Sequence, residues 1–273
     1  ESVYARALAE TGQYEQALRD LPEAGEGAPA FELENTRGEI LYTLGRLAEA
    51  EAAFRRAMDG SATDAYHARK NLGVLLWDRG EREAALALFD SFIDLYNGAS
   101  ASLSAEELGA VWVAVRYLGV TNPDLFQDAL MAFDEAAAAD PEAFGPPLLV
   151  GELFLEKYRA TDARESFGLV LDQNPRHPRA LLGQARVLDF VGVGGAVETT
   201  RLALEVNPRY PDALAFLAGL YLKTWDHDLA RTTAEEALEI NPGHLRALSV
   251  LAASFLLAGE TEEYQDIPVI IIT

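Results

Sequence analysis

The chain has no cysteine, which removes disulfides, thiolate metal sites and a cysteine nucleophile and leaves the redox compartment open. Positive charge is also scarce: 22 Lys and Arg against 44 Asp and Glu give a formal charge of −22. Nucleic acid and anionic membrane surfaces would be approached against that repulsion, so neither is an expected partner. The excess acid has two readings, a solubilising helical surface or a protein partner of basic character. No run reaches the ~20 apolar residues of a membrane span, so no membrane insertion is expected.

Histidine is sparse as well. The four are His67, His177, His227 and His244, with no HExxH and no pair at i, i+4. His227 stands between Asp226 and Asp228; a solvated turn explains it better than a metal site, so no metal is expected. Acid pairs such as Asp134-Glu135 and Glu235-Glu236 follow from abundance, and no nucleophile comes with a base and an orienting group. Glycine clusters in FVGVGGA at 190–196, but no strand precedes it and no Gly-Lys-Ser/Thr follows, so it reads as a turn between helices. The chain is therefore expected to be non-enzymatic, without cofactor or catalytic residues.

What the sequence does contain is repetition. LDQNPRHP at 171–178 returns as LEVNPRYP at 204–211 and LEINPGHL at 238–245, and with Pro141 the prolines Pro175, Pro208 and Pro242 fall 34, 33 and 34 residues apart. A fixed period in that range means stacked supersecondary units. Between prolines the pattern is two amphipathic helices and a tight turn: Leu214, Leu217, Ala218 and Tyr221 make an i, i+3, i+4, i+7 stripe, followed by Leu229, Ala230, Ala234, Ala237 and Leu238. Small residues recur in the first helices (Gly38, Gly73, Gly151, Ala185, Ala218, Ala252) and in the second (Ala17, Ala50, Ala85, Ala129, Ala163, Ala196, Ala230), where they let helices approach closely.

These residues resemble the tetratricopeptide-repeat family. Gly38, Leu41, Gly45, Ala50, Phe54 and Ala57 fill the family's motif in the second unit, and Gly73, Leu76, Gly80, Ala85 and Phe89 in the third, with Phe92 where Ala is usual. The fifth reads Gly151, Phe154, Ala163, Phe167, Val170 and Pro175, and the seventh Ala218, Tyr221, Ala230, Ala234, Ala237 and Pro242. The resemblance implies an all-α fold, a right-handed superhelical solenoid of antiparallel helix pairs with about seven to eight repeats, spanning residues 1–263. Residues 264–273 are expected to be an apolar non-repeat tail or the start of a following segment.

Several places are irregular. Pro22 should stop the second helix of the first unit early, with AGEGAPA at 24–30 as a loop, so this unit is expected to be frayed. Ala85 and Ala129 are 44 residues apart; YNGASASLS at 96–104 reads as a long linker, Ser104 and Glu107 as a capping box, and VTNPD at 120–124 as a second insertion. Either Gly109 or Trp112 takes the small-residue slot of the fourth unit. In the eighth, Tyr264 replaces the expected Ala. IPVIIIT at 267–273 is β-branched, and reads either as the start of a following domain or as a segment that pairs with another chain and supports self-association. Glu1 opens inside a helical pattern, as a fragment would, so an upstream signal peptide is not legible.

In the resembled family the first helices line a concave face that receives an extended or helical peptide. The matching positions here are Asn35, Glu39 and Tyr42, then His67, Lys70 and Trp77, then Glu152, Arg179, Arg186, Asp189 and Lys223. Trp77 and Tyr42 suit the role of aromatic anchors beside charges, although Trp77 suits equally a cover over its neighbouring helix. A carboxylate-clamping subset of the family is not matched, because Lys70 is followed by Val74 and the neighbouring unit offers Glu39. The expected function is a protein–protein interaction scaffold binding a peptide or protein in the groove. The alternative is a regulatory or substrate-presenting region of a larger, peptidase-like enzyme.

Overall fold

The computed structural model describes residues 2–22, 30–60, 65–99, 103–119 and 144–260. Among the described residues there are fourteen α-helices and no strand: α1 (Ser2–Glu10), α2 (Tyr14–Asp20), α3 (Ala30–Thr43), α4 (Leu47–Gly60), α5 (Tyr66–Asp78), α6 (Arg82–Ala99), α7 (Ala105–Leu118), α8 (Gly145–Glu156), α9 (Ala160–Gln173), α10 (Pro178–Val191), α11 (Ala196–Val206), α12 (Pro211–Lys223), α13 (His227–Ile240) and α14 (Leu245–Ala258). Consecutive helices pair as hairpins, and each hairpin stacks on the next. No described helix is long and apolar enough to cross a membrane.

The repeated Asn-Pro segments are the joints. Asn174, Asn207 and Asn241 end α9, α11 and α13 in extended conformation, which the following proline requires. Each Asn Oδ1 accepts a hydrogen bond from the backbone N–H two residues on, at 3.1, 3.0 and 3.1 Å. The imidazole Nδ1 atoms of His177 and His244 then accept from the N–H groups of Ala180 and Ala247, capping α10 and α14. The two histidines that recur with the repeat are thus helix caps.

Within hairpins, glycine admits an aromatic ring. A Cβ added at Gly38, Gly73 or Gly151 would sit 2.4–2.6 Å from the ring of Phe54, Phe89 or Phe167, sixteen residues later in the second helix. Gly183 of the next unit touches the same Phe167 ring, at 2.5 Å, so Phe167 is packed between two first helices and fully buried. The alanines of the second helices fill the remaining space: Ala17, Ala50, Ala85, Ala163 and Ala230 have no exposed surface.

α2 stops at Asp20 with Leu21 extended ahead of Pro22, as a residue before proline must be. Ser104 and Glu107 form the capping box of α7. Helix α6 runs through residue 99, further than the expected linker allows, since Tyr96 is half-buried against the core of units two to four and keeps the last turn wound. In α7, a Cβ at Gly109 would meet nothing within 4 Å among the described residues, while Trp112 is buried in the core of the neighbouring units. Residues 23–29, the 120–124 insertion, Ala129, Pro141, Tyr264 and the 264–273 tail lie outside the described residues.

The two ends of the array meet. Ala5, Leu8, Tyr14, Leu33, Ile40 and Leu44 share one apolar cluster with Leu214, Ala215, Ala237, Ile240 and Ala247. The turn after α1 presents Gly12 (φ 81°) to Asn207, and the turn after α3 presents Gly45 (φ 72°) to Asn241, so closely that a Cβ added at either glycine would clash with the Asn Oδ1. Only glycine combines that left-handed backbone with that approach. The first two hairpins rest by their turns on the joints at Asn207 and Asn241, and the first helices surround an open central space.

Candidate functional site

This central space is an open cavity of about 1460 Å³. It is walled by α1, α3, α5, α7, α8, α10, α12 and α14, with Tyr14 of α2. Seven Lys or Arg and six Asp or Glu line it, so a chain with twice as many acids as bases has put its acid elsewhere and left the inner wall close to neutral.

Of the carried-over positions, Glu39, Tyr42, His67, Lys70, Glu152, Arg179, Arg186, Asp189 and Lys223 line the cavity. Asn35 and Trp77 do not. Asn35 is buried and joined to Glu39 and Asn71 by amide hydrogen bonds. Trp77 packs edge-on to Tyr117 at 5.2 Å, with Arg82 over its ring at 5.2 Å, and so covers the neighbouring helix. The Tyr117 ring in turn stacks on Phe89 at 4.8 Å, and burial pushes its hydroxyl up to about 12.

The Tyr42 hydroxyl donates to the Asp78 carboxylate of the next first helix. Burial, and then the Asp78 charge, raise the Tyr42 pKa; burial also raises that of Asp78. Tyr42 is therefore tied into the wall. Beyond it, the charged groups form ladders between units. Arg179 grips Glu152 in bidentate fashion at 2.8 and 2.9 Å, Lys223 pairs with Asp189 at 2.6 Å, and the His244 Nε2 lies 3.3 Å from Asp212. With Nδ1 of His244 already a cap acceptor, its proton sits on Nε2, toward Asp212. Burial alone would raise the pKa of Glu152, but Arg179, Arg116 and Arg186 outweigh it and hold the carboxyl below the usual range. Asp212 behaves alike: burial raises it, and the hydrogen bond to His244 with the nearby arginines lowers it further.

The carried-over positions omit Asp212 and Arg246, although these stand one and two repeats after Arg179 and the 33–34 residue step points to them. Arg116, Tyr210 and Phe216 also face the cavity; Arg116 lies in the irregular fourth unit, where motif positions are ambiguous. His227, on the outer side, follows Asp226, whose carboxylate caps α13 through Leu229 N–H at 3.2 Å. Among the described residues no group of His, Asp and Glu could hold a metal ion.

Two sequence-family models match the chain, a tetratricopeptide repeat-like domain over residues 4–93 and a tetratricopeptide repeat over 211–244. These two stretches belong to the tetratricopeptide-repeat family. Solved structures agree on the fold. A tetratricopeptide-repeat protein from Parabacteroides merdae is 18% identical with a TM-score of 0.55, covering 89% of this chain and 94% of that one. A chain of the APC/C hetero-tetramer Cut9–Hcn1 is 14% identical with a TM-score of 0.51, covering 93% of this chain and 48% of that one. No curated protein matches in sequence. Tetratricopeptide arrays commonly serve as protein-interaction scaffolds and are generally non-catalytic.

Proposed function

We propose that this protein is a non-catalytic scaffold that binds a segment of a partner protein in the cavity formed by its first helices. The observation that carries the reading is the wall itself: about 1460 Å³, above the about 300–1,000 Å³ of small-ligand pockets, lined by aromatic and charged side chains from nine helices. Charge separates two steps. The formal −22 of the whole chain steers a partner of basic overall character toward the molecule, while the near-neutral wall imposes no such sign on the segment that enters.

The test is quantitative co-purification from the source organism with wild type, Lys223→Glu in the cavity and Arg55→Glu on the outer second helix α4. Lys223→Glu is expected to lose a partner that Arg55→Glu retains. A partner kept by Lys223→Glu and lost by Arg55→Glu would place binding on the outer surface and overturn the reading.

A further inference from the structure

Two hairpin turns depart from the others. The left-handed position that ends a first helix is glycine at Gly12, Gly45, Gly80, Gly192 and Gly259, but it is Tyr158 (φ 58°) after α8 and Trp225 (φ 62°) after α12. Both side chains are mostly exposed, so in the free protein a conformation that disfavours any residue with a Cβ is offset by little burial. They stand two repeats apart with Gly192 in the same slot between them, and there Phe190, Val191 and Val193 are exposed as well. The Phe190 ring lies 5.8 Å from that of Tyr158. Stacked hairpins bring these turns side by side, at about 8–10 Å per helix neighbour, so Tyr158 and Trp225 close the two ends of a strip roughly 20 Å long. At about 150–250 Å² for a whole aromatic side chain, the five side chains present on the order of 500 Å² of apolar surface, within the range of patches that bind partners. Of the five, Phe190 alone lines the cavity, so the strip lies beyond its mouth.

Charge selects the occupant. Across 156–162, 189–198 and 223–229 six acids stand against three bases, the two-to-one excess of the whole chain that the cavity wall lacks. Glu198, Asp226 and Asp228 are exposed among these acids, while the bases Arg159 and Lys223 are already held by Asp162 and Asp189. We infer that the strip from Tyr158 to Trp225 seats an amphipathic helix of a partner protein, apolar on the face that meets the rings and flanked by Lys and Arg that meet the carboxylates. A helix of about 18 residues is about 27 Å long and spans the strip with one face. Rigid aromatic side chains are the usual anchors of such contacts, and covering them supplies the burial that the two turns lack. A second copy of this chain would instead set its own excess acid against these carboxylates.

Fluorescence anisotropy with labelled 18-residue peptides free of tryptophan tests this on the full chain. One peptide carries Leu on one helical face and Lys on the other, a second carries Glu in place of Lys, and a third scrambles the Leu and Lys so that no apolar face forms. The Leu/Lys helix is expected to bind wild type about tenfold tighter than either control and to shift tryptophan emission to the blue through the exposed Trp225. Tyr158→Gly/Trp225→Gly removes both rings while giving each turn the residue its backbone favours. That protein is expected to bind the Leu/Lys helix about tenfold more weakly and to melt no lower than wild type.

Equal affinity of wild type and the double Gly protein for the Leu/Lys helix would place binding off the strip and overturn the inference, as would no binding by wild type. Equal affinity for the Glu peptide would overturn the basic character of the partner. A double Gly protein that melts well below wild type would show the rings to be structural. Sedimentation showing a wild-type dimer that the double Gly protein lacks would reassign the strip to a second copy, and flotation with phosphatidylcholine vesicles by wild type alone would reassign it to a lipid surface. Each of these failures leaves the cavity reading standing, because Tyr158 and Trp225 do not line the cavity.

Discussion

The side-chain amide of Asn207 donates a hydrogen bond to the hydroxyl of Tyr14 at 3.0 Å, across 193 residues of sequence. Both groups are buried, and the same amide reaches the Ala9 carbonyl at 3.4 Å. In a solenoid each unit ordinarily contacts only its neighbours, so this bond and the cluster around it are what bring the first hairpins against the last.

Breaking that junction is expected to loosen the array without unwinding its units. Gly12→Ala meets both the left-handed backbone penalty and the Asn207 side chain, and should cost about 2 kcal/mol or more. Gly80→Ala has nearly the same φ, 84°, but nothing within 4 Å of the new Cβ, and should cost only the backbone part, about 1 kcal/mol. Urea unfolding compares the two, and X-ray scattering should show a larger radius of gyration for Gly12→Ala alone. Equal losses and unchanged scattering would mean the ends contribute nothing to closure.

Phe167 is expected to be the costliest single truncation in the second half. Its ring fills the space between Gly151 and Gly183, so Phe167→Ala should lose about 3–5 kcal/mol. Gly151→Ala puts a methyl into that ring and should lose about 1–3 kcal/mol. If the double substitution recovered most of the loss measured for Phe167→Ala alone, the ring and the glycine would be confirmed as one packing unit.

Tyr158 (φ 58°) and Trp225 (φ 62°) occupy the left-handed turn position that glycine holds at Gly12, Gly45 and Gly192. They are 78% and 70% exposed, so little burial offsets the strain; Tyr158 touches only the Phe190 ring, at 5.8 Å, among described aromatics. Replacing either by Gly should stabilise the fold by about 0.5–1 kcal/mol, the left-handed penalty less the greater chain entropy of glycine. A destabilised Trp225→Gly would show that the indole holds more than its exposure suggests.

His177 carries a pH signature. Burial, then the Arg179 charge, depress its pKa below 6.5, and its Nδ1 must be unprotonated to cap α10. The unfolded chain therefore binds more protons as pH falls, so this contribution is complete above about 6.5 and is lost as pH drops through the folded pKa. His177→Asn keeps a cap acceptor that does not titrate. The difference in urea midpoint between pH 8 and pH 5 should be smaller in His177→Asn than in wild type; an unchanged difference would assign the pH dependence to other groups.

The sequence by itself determined the unit. The Asn-Pro joints, the glycine that admits Phe54, Phe89 or Phe167, and the buried alanines all act within about 35 residues, and a period makes such local chemistry legible. Nine of the eleven positions carried over from the family resemblance line the cavity, because repeat position sets the side of a helix. Trp77 lay open between groove and cover, and Tyr117, from the irregular fourth unit, supplied the ring that covers it. What only the tertiary structure decided is how far the row bends: small rotations between hairpins add up over the whole chain, and no single residue encodes their sum. That sum set Asn207 against Tyr14 and Asn241 against Gly45, and brought Arg186 and Arg246 to the one Phe216 ring.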